Sequence, residues 1–377
     1  ATPAITNPDL IYPGQVLTTP PAGGLPAANA DSPSAALAAS LQWTGDGWTM
    51  EWGIVMAQET AYRLLLTQPG GGESRDLTAL VQSVTWQGDI RQTARELSAA
   101  LAVPRDGSVE VPPLEEGSWL TLQGPEAPLF FGPLLQCSTS SQSAVVNVSA
   151  LDRGRFLAGN RGWYKFTGAT PEAAAALICG DFGIPVGALA ATGVPLTQNF
   201  PGTSLDKIIR TLYTLAGAQN GKRYVLRFTG EGALEVVEKP TAATLEIAQT
   251  MGVTNTWDIT DLCNSVAIYT DSGSLVRRVE DSASQALNGR LEHVLTQRGG
   301  EDAGAEAQAW LEDNGLAQNL TVEVLAPPLD LLAGAAVRLR DTGSGVSGLF
   351  WVDQDTHTWK NGQHYGKFRL NFRNLME

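Results

Sequence analysis

The chain has 377 residues, 43% hydrophobic and 17% charged, with a formal net charge of −14. That length suits two to four ordinary domains, and no apolar run reaches the ~18 residues a membrane-spanning helix needs. Nucleic-acid binding rests on clustered cations, yet five carboxylates and no Lys or Arg precede Arg63. The cysteines, Cys137, Cys179 and Cys263, are too scattered for a disulfide framework or a metal knuckle, and buried free thiols are expected. No basic patch followed by an apolar stretch marks a secretory signal near the N-terminus.

In chain order, residues 7–20 read NPDLIYPGQVLTTP. This polar turn, apolar step, Pro-Gly and short strand resembles the closing segment of a LysM module. Residues 1–20 are therefore expected to be a LysM-like C-terminal fragment whose beginning precedes Ala1, and sugar binding is not carried over to it. Residues 21–46, rich in Pro, Ala, Gly and Ser, read as a flexible linker with a turn or two of helix over 34–41. Short apolar or alternating runs follow at 61–67, 80–87, 118–123, 129–138 and 144–150, punctuated by Gly, Pro, Asp and Ser. Strands at such spacing read as a barrel or sandwich, and a β-barrel domain is expected over 47–162.

The middle changes character. Thr170-Pro171-Glu172 is a helix start, with a capping oxygen, Pro at the first helical position and an acid at the positive helix end. A second start at 203–206 opens a helix with Leu205, Ile208, Ile209, Leu212 and Leu215 on one face and Gly217 as its C-cap. RYVLRFTGEGALEVVE, 223–238, then reads as a hairpin. Together these predict a small α/β domain over 163–248. Strands resume after Val253, with a third helix near 302–318 and a last hairpin turning at Asn361-Gly362. The expected fold is thus a β-rich α+β, multidomain chain: two similar β-barrel domains, 47–162 and 249–377, separated by the small α/β domain.

That the barrels are similar rests on an internal echo. LEEGSWLTLQGPEAPLFFGPLL (114–135) and LLAGAAVRLRDTGSGVSGLFWVDQ (331–354) each place a glycine, Gly117 or Gly334, before an alternating strand. Each then has a Gly-containing turn and a Leu-Phe-aromatic strand, Leu129-Phe130-Phe131 or Leu349-Phe350-Trp351. Three chains with two such units would form a ring of six, able to dock on a six-fold object while remaining a trimer.

The order of these elements, with VNVSALDRGRFLAGNR, ATPEAAAALICGDFGIP and SLDKIIRTLYTLAGAQNGKRYVLRF between the two echoing hairpins, carries a family resemblance. Over about 48–374 the chain is similar to baseplate hub proteins of contractile phage tails and phage-like particles, the YqbQ/XkdQ-type group. The resemblance implies a homotrimer that adapts a six-fold tail tube to a three-fold central spike. Implied partners are the chain itself, tube and spike proteins, a tape-measure protein and a LysM-bearing tail protein. The implied place is the tail baseplate of a virion or phage-like particle assembled in the bacterial cytoplasm, with no membrane or nucleic-acid ligand. The rival reading is a protein that binds or degrades peptidoglycan and carries a LysM remnant.

Chemistry is sparse. Asp353, Asp355 and His357 would share one strand face at period two, with His364 across the turn. His and carboxylates are metal ligands, but the reading adopted is a polar, solvent-facing stretch between Trp351 and Trp359. His293 reads as a strand surface residue. GAQNGKR, 217–223, fails as a phosphate loop: three residues separate its glycines and Arg223 stands where Ser or Thr should be. Trp43, Trp48 and Trp52 read as core or interface aromatics rather than a carbohydrate platform. No catalytic, cofactor or metal residue is assigned, and no enzyme activity is expected.

Overall fold

The computed structural model describes residues 35–43, 48–56, 62–104, 111–140, 143–297 and 303–374. The LysM-like segment and the linker as far as residue 34 lie outside the described residues. Strands β1 (Ala35–Trp43) and β2 (Trp48–Met56) form a hairpin closing on Trp43 and Trp48. This corrects the expected linker and helix over 35–43. The Ala-rich run has helix propensity, but the apolar strand that follows supplies a full antiparallel partner.

A first β unit follows: β3 (Arg63–Thr67), β4 (Arg75–Asp76), β5 (Val81–Asp89), β6 (Glu96–Ala102), β7 (Trp119–Gln123), β8 (Pro128–Ser138) and β9 (Val145–Leu151). Alternate residues turn inward, as with Leu97, Ala99 and Leu101 of β6, which pack with Leu64, Leu120, Leu122 and Val148. The chain then enters α1 (Gly154–Gly159), β10 (Arg161–Ala169), α2 (Pro171–Asp181), β11 (Val186–Leu189), β12 (Leu196–Ser204), α3 (Leu205–Asn220), β13 (Tyr224–Phe228) and β14 (Leu234–Glu238). Helix α2 begins at Pro171 as its sequence demands. Helix α3 buries Leu205, Ile208, Ile209 and Leu212 against α2 and the β13·β14 hairpin. It runs past Gly217, which is itself buried, and the left-handed cap falls on Gly221 (φ 74°). Packing of Ala216 and Gly217 against the core carries the helix through the glycine expected to end it.

The second β unit comprises β15 (Leu245–Ile247), β16 (Gly252–Asp258) and, after an insertion, β20 (Ala317–Leu325), β21 (Ala336–Arg340), β22 (Ser347–Lys360) and β23 (Gln363–Asn371). The insertion holds β17 (Ser265–Thr270), β18 (Leu275–Glu280), α4 (Ser282–Asn288), β19 (Glu292–Gln297) and α5 (Gly304–Asp313). Helix α5 stops short of the expected 318 because Ala317 already enters β20, whose Leu320 and Val322 are buried in the core. The β22·β23 turn uses Asn361 (φ 54°) and Gly362 (φ 71°), as an Asn-Gly hairpin requires.

The two β units have one topology. The first runs β3-β7-β8-β9-β6-β5 across the sheet, the second β15-β21-β22-β23-β20-β16. Matched in chain order, every neighbour corresponds, although β3 meets β7 antiparallel and β15 meets β21 parallel. Gly117 (φ 86°) and Gly334 (φ 94°) are equivalent, and the same hydrogen bond follows each: Leu134 N–H to Ser118 O at 2.8 Å, Val352 N–H to Ala335 O at 2.9 Å. Leu134 therefore matches Val352, which shifts the expected alignment of the aromatic triplets by two residues. Apolar triplets looked alike, but the ladder sets the register.

Among the described residues, the hydrogen-bonded order closes neither unit into a barrel. Instead of two separate barrels, the units are halves of one thirteen-stranded sheet, because β22 also pairs with β5.

Both equivalent glycines need a backbone that a Cβ opposes by about 1–2 kcal/mol. A Cβ at Gly334 would meet Val225 Cγ1 at 3.0 Å, whereas one at Gly117 would meet Pro69 Cγ at 3.3 Å. Gly334→Ala should therefore destabilise more than Gly117→Ala in urea unfolding. Equal, negligible losses would argue against the positive φ at both sites.

Candidate functional site

The residues with most chemistry gather at the seam between the two sheet halves. The first part of β22, Ser347 to Trp351, pairs with β21. A bulge between Val352 and Gln354 shifts the strand, and its second part then pairs with β5, from Gln354 opposite Asp89 to Lys360 opposite Ser83. Asp353 sits in that bulge, and its carbonyl accepts the Ile90 N–H at 2.9 Å. At this junction Asp353, Asp355, His357 and His364 are buried to 4% exposure or less. The expected solvent-facing stretch is thus corrected: Arg95, Trp86 and the backbone at Leu331 and Ala333 pack against it.

Asp355 is fully buried and ion-paired with Arg95 of β5–β6, whose Nη1 donates to Oδ1 at 2.9 Å and whose Nη2 bridges to Oδ2. The Ala333 N–H adds a third bond at 2.7 Å. The Arg95 guanidinium lies 4.2 Å from the Trp86 ring centre, a cation–π contact. His357 stands beside this pair. Its Nε2–H donates to the Leu331 carbonyl at 3.1 Å, which leaves Nδ1 to accept from His364 Nε2–H at 3.0 Å. His364 Nδ1 is then a bare acceptor without a hydrogen-bond partner. Its ring stacks on Trp359 at 4.4 Å.

Electrostatics follow from this enclosure. Burial, reinforced by neighbouring His357, pushes the His364 imidazole down to about 3. Burial also lowers His357, against a smaller upward pull from Asp355. Both rings are neutral at pH 7. Nearby Asp152 is buried and raised to about 6 by desolvation, partly offset by the hydrogen bonds its carboxylate accepts. Among the described residues, no three His, Cys, Asp or Glu side chains converge as a metal would require.

Helix α3 grips the same corner. Arg210 Nη1 donates to the Ile90 carbonyl at 2.8 Å, and Asp206 Oδ2 accepts from Thr93 Oγ1 at 2.9 Å. The α/β unit therefore holds the β5–β6 turn that β22 holds from the other side. An open cleft of about 1210 Å³ runs alongside, lined by Trp86, Arg95, Pro128, Arg227 and Pro327 among others.

Other sequence-read residues are dispersed. His293 is half-buried and stacks on Trp310 of α5 at 3.8 Å. GAQNGKR is the end of α3, its cap and the turn beyond. Cys179 is buried, its thiol pushed up to about 11 by desolvation, and Cys263 is half-buried. Cys137 is exposed, contrary to expectation, because it lies on the part of β8 beyond the core. The sequence does not mark Arg95: a lone arginine after a turn gives no signal of a partner 260 residues away.

Comparison with known proteins places this arrangement. A family model described as YQBQ-like matches residues 84–371. YqbQ of Bacillus subtilis (strain 168) is 22% identical over 305 residues, covering 78% of this chain and 92% of its own. The phage-like element PBSX protein XkdQ of the same organism is 22% identical over 301 residues, covering 76% of this chain and 91% of its own. In fold, the chain is similar to the 43 kDa tail protein of prophage MuSo2 from Shewanella oneidensis. That match has a TM-score of 0.63 at 12% identity and covers 84% of this chain and 100% of the other.

Two measurements test the seam. Arg95→Met strands a buried carboxylate and should cost about 3–5 kcal/mol, most of it recovered in Arg95→Met/Asp355→Leu. Urea unfolding would show it, and no recovery in the double variant would count against an isolated pair. The histidines set a pH dependence. A histidine lowered in the fold contributes fully above its unfolded value of 6.5, and that contribution fades as pH falls toward the folded value. Asp152 acts oppositely, relieving the fold as pH drops below about 6. Stability should fall from pH 7 to 5 by up to about 1.4 kcal/mol per unit per histidine, less the Asp152 offset. His364→Phe should flatten that loss; an unchanged slope would place its origin elsewhere.

Proposed function

We infer the function of this chain from one premise: it belongs to the YQBQ-like family. We propose that it is a structural protein of a phage tail or phage-like particle, the hub of the baseplate, and that it works as a homotrimer. The observation that carries the reading is the duplicated strand order of the two β units. A chain with two equivalent units gives six quasi-equivalent positions in a trimer, so a three-fold assembly can meet a six-fold tube. The names of its relatives, a phage-like element protein and a prophage tail protein, support the same setting.

The mechanism is geometric. The two β units, β3 to β9 and β15 to β23, build the ring, and the α/β unit, α1 to β14, lies between them in the chain. Tail tube and central spike are the partners on either face, and residues 1–20 are a LysM-like remnant on a linker. The assembly sits in the tail baseplate, is built in the bacterial cytoplasm, and transmits load rather than turning over a substrate. Backbone ladders along the seam suit that role, since hydrogen bonds that act together across a strand resist sliding better than scattered side-chain contacts.

Light scattering on a size-exclusion column across a concentration series tests this directly. A species near three times 39.9 kDa is expected. A monomer at every concentration, together with retention on peptidoglycan, would overturn the hub reading in favour of a wall-binding protein.

A further inference from the structure

We propose that the open edge of β8 at Gln136–Ser138 pairs antiparallel with the open edge of β16 in a second copy of this chain, in the register that joins β22 to β5 within one chain. This rests on the trimer reading and specifies its contact.

The argument is the duplication carried to its end. In the matched topology β8 corresponds to β22, and β16 corresponds to β5. Within the chain, β22 and β5 are joined along the second part of β22. The corresponding pair, β8 and β16, is not joined. Among the described residues, β16 pairs only with β20, and β8 beyond Leu134 pairs only with β9. One chain therefore contains one seam and the two unmatched halves of another. A second copy supplies what is missing, and repetition leads around a ring.

The register follows from the ladders. Leu134 matches Val352 by their hydrogen bonds, and each strand has its bulge at the next step, so Gln136, Cys137 and Ser138 match Gln354, Asp355 and Thr356. Across the sheet, Ala150 matches Leu370, Leu97 matches Leu320, and hence Trp86 matches Asn255. The chain pairs Gln354 with Asp89, Asp355 with Gly88 and Thr356 with Gln87. The equivalent contact between copies pairs Gln136 with Asp258, Cys137 with Trp257 and Ser138 with Thr256.

The peptide groups are correctly aimed. The Ala326 N–H bonds to His364 O, so alternate residues Asn319 and Thr321 face β16 and meet Thr256 and Thr254 there. That leaves the backbone of Val253, Asn255 and Trp257 directed at the open edge. On the other strand, the Ile90–Asp353 bond fixes Asp355 toward β5, so its counterpart Cys137 is directed outward.

The edges also carry little of what normally blunts an edge strand. In a chain of net charge −14, 135–140 (LQCSTS) carries no charged residue. Strand β16 (GVTNTWD) carries one, Asp258 at its last position, opposite uncharged Gln136 in this register. Unpaired edges are ordinarily guarded by charge or proline. Trp257 is 66% exposed, Met251 57% and Leu135 37%, and Cys137 is exposed beside them. Pairing would cover this apolar surface.

The test uses the full chain. Ser138→Cys/Thr256→Cys in a Cys137→Ser background should give, on mild oxidation, a reducible ladder of cross-linked chains ending at the trimer. Ser138→Cys/Trp257→Cys, displaced by one residue and so on opposite faces, should give none. Trp257→Pro removes the edge-directed N–H that faces Cys137 and leaves the β20 ladder intact. It should abolish the trimer in light scattering with the urea midpoint of the monomer unit unchanged. If the parent chain is trimeric but neither cross-links at 138 and 256 nor responds to Trp257→Pro, the edge pairing is wrong and the hub reading survives. If the parent chain is monomeric throughout, the hub reading fails and takes the pairing with it.

Discussion

Everything distinctive in this structure depends on one strand changing partners. Strand β22 starts as the second arm of a hairpin with β21, passes a one-residue bulge, and continues as the neighbour of β5. A bulge leaves one residue unpaired and turns the strand. Here that turn moves the second half of β22 out of its own unit and into the other. Without it there would be two sheets, and the α/β unit would hang between them.

The seam carries the burial of polar side chains, Asp353, Asp355, His357 and His364. Asp355 is tolerated because Arg95 and a backbone amide satisfy it, and the histidines are tolerated because they are neutral and bonded to each other and to a carbonyl. A buried ion pair of this kind adds little net stability against an apolar equivalent. Its value at a seam is selectivity: a slip of β22 along β5 by one residue would turn Asp355 and His357 to the other face and take the carboxylate away from Arg95. The grip of α3 on Ile90 and Thr93 ties the third unit to the same corner, so the three parts of the chain meet at one place.

Much of the fold was legible in the residues. Pro171 at a helix start, the apolar stripe of α3 and the Asn361-Gly362 turn are local signals, and each was realised where it stood. The two glycines, Gly117 and Gly334, marked the duplication because a positive φ leaves a trace in the choice of residue. The candidate site was less legible. Asp353, Asp355 and His357 stand at period two in the sequence, but alternation alone says only that they share a face. Which face is inside depends on what packs against it, and Arg95, which does so, lies 260 residues away.

What the sequence determined by itself was therefore the inventory: short strands, three of the helices, one tight hairpin and a repeated pattern. These rest on interactions within a few residues, where spacing and residue type suffice. Only the tertiary structure decided the register of the repeat, the helix that continues through Gly217, the burial of the histidines and the fusion of two units into one sheet. Each of these is settled by hydrogen bonds or packing between segments far apart in the chain, and a ladder of identical peptide groups carries no mark in the sequence of which partner it will take.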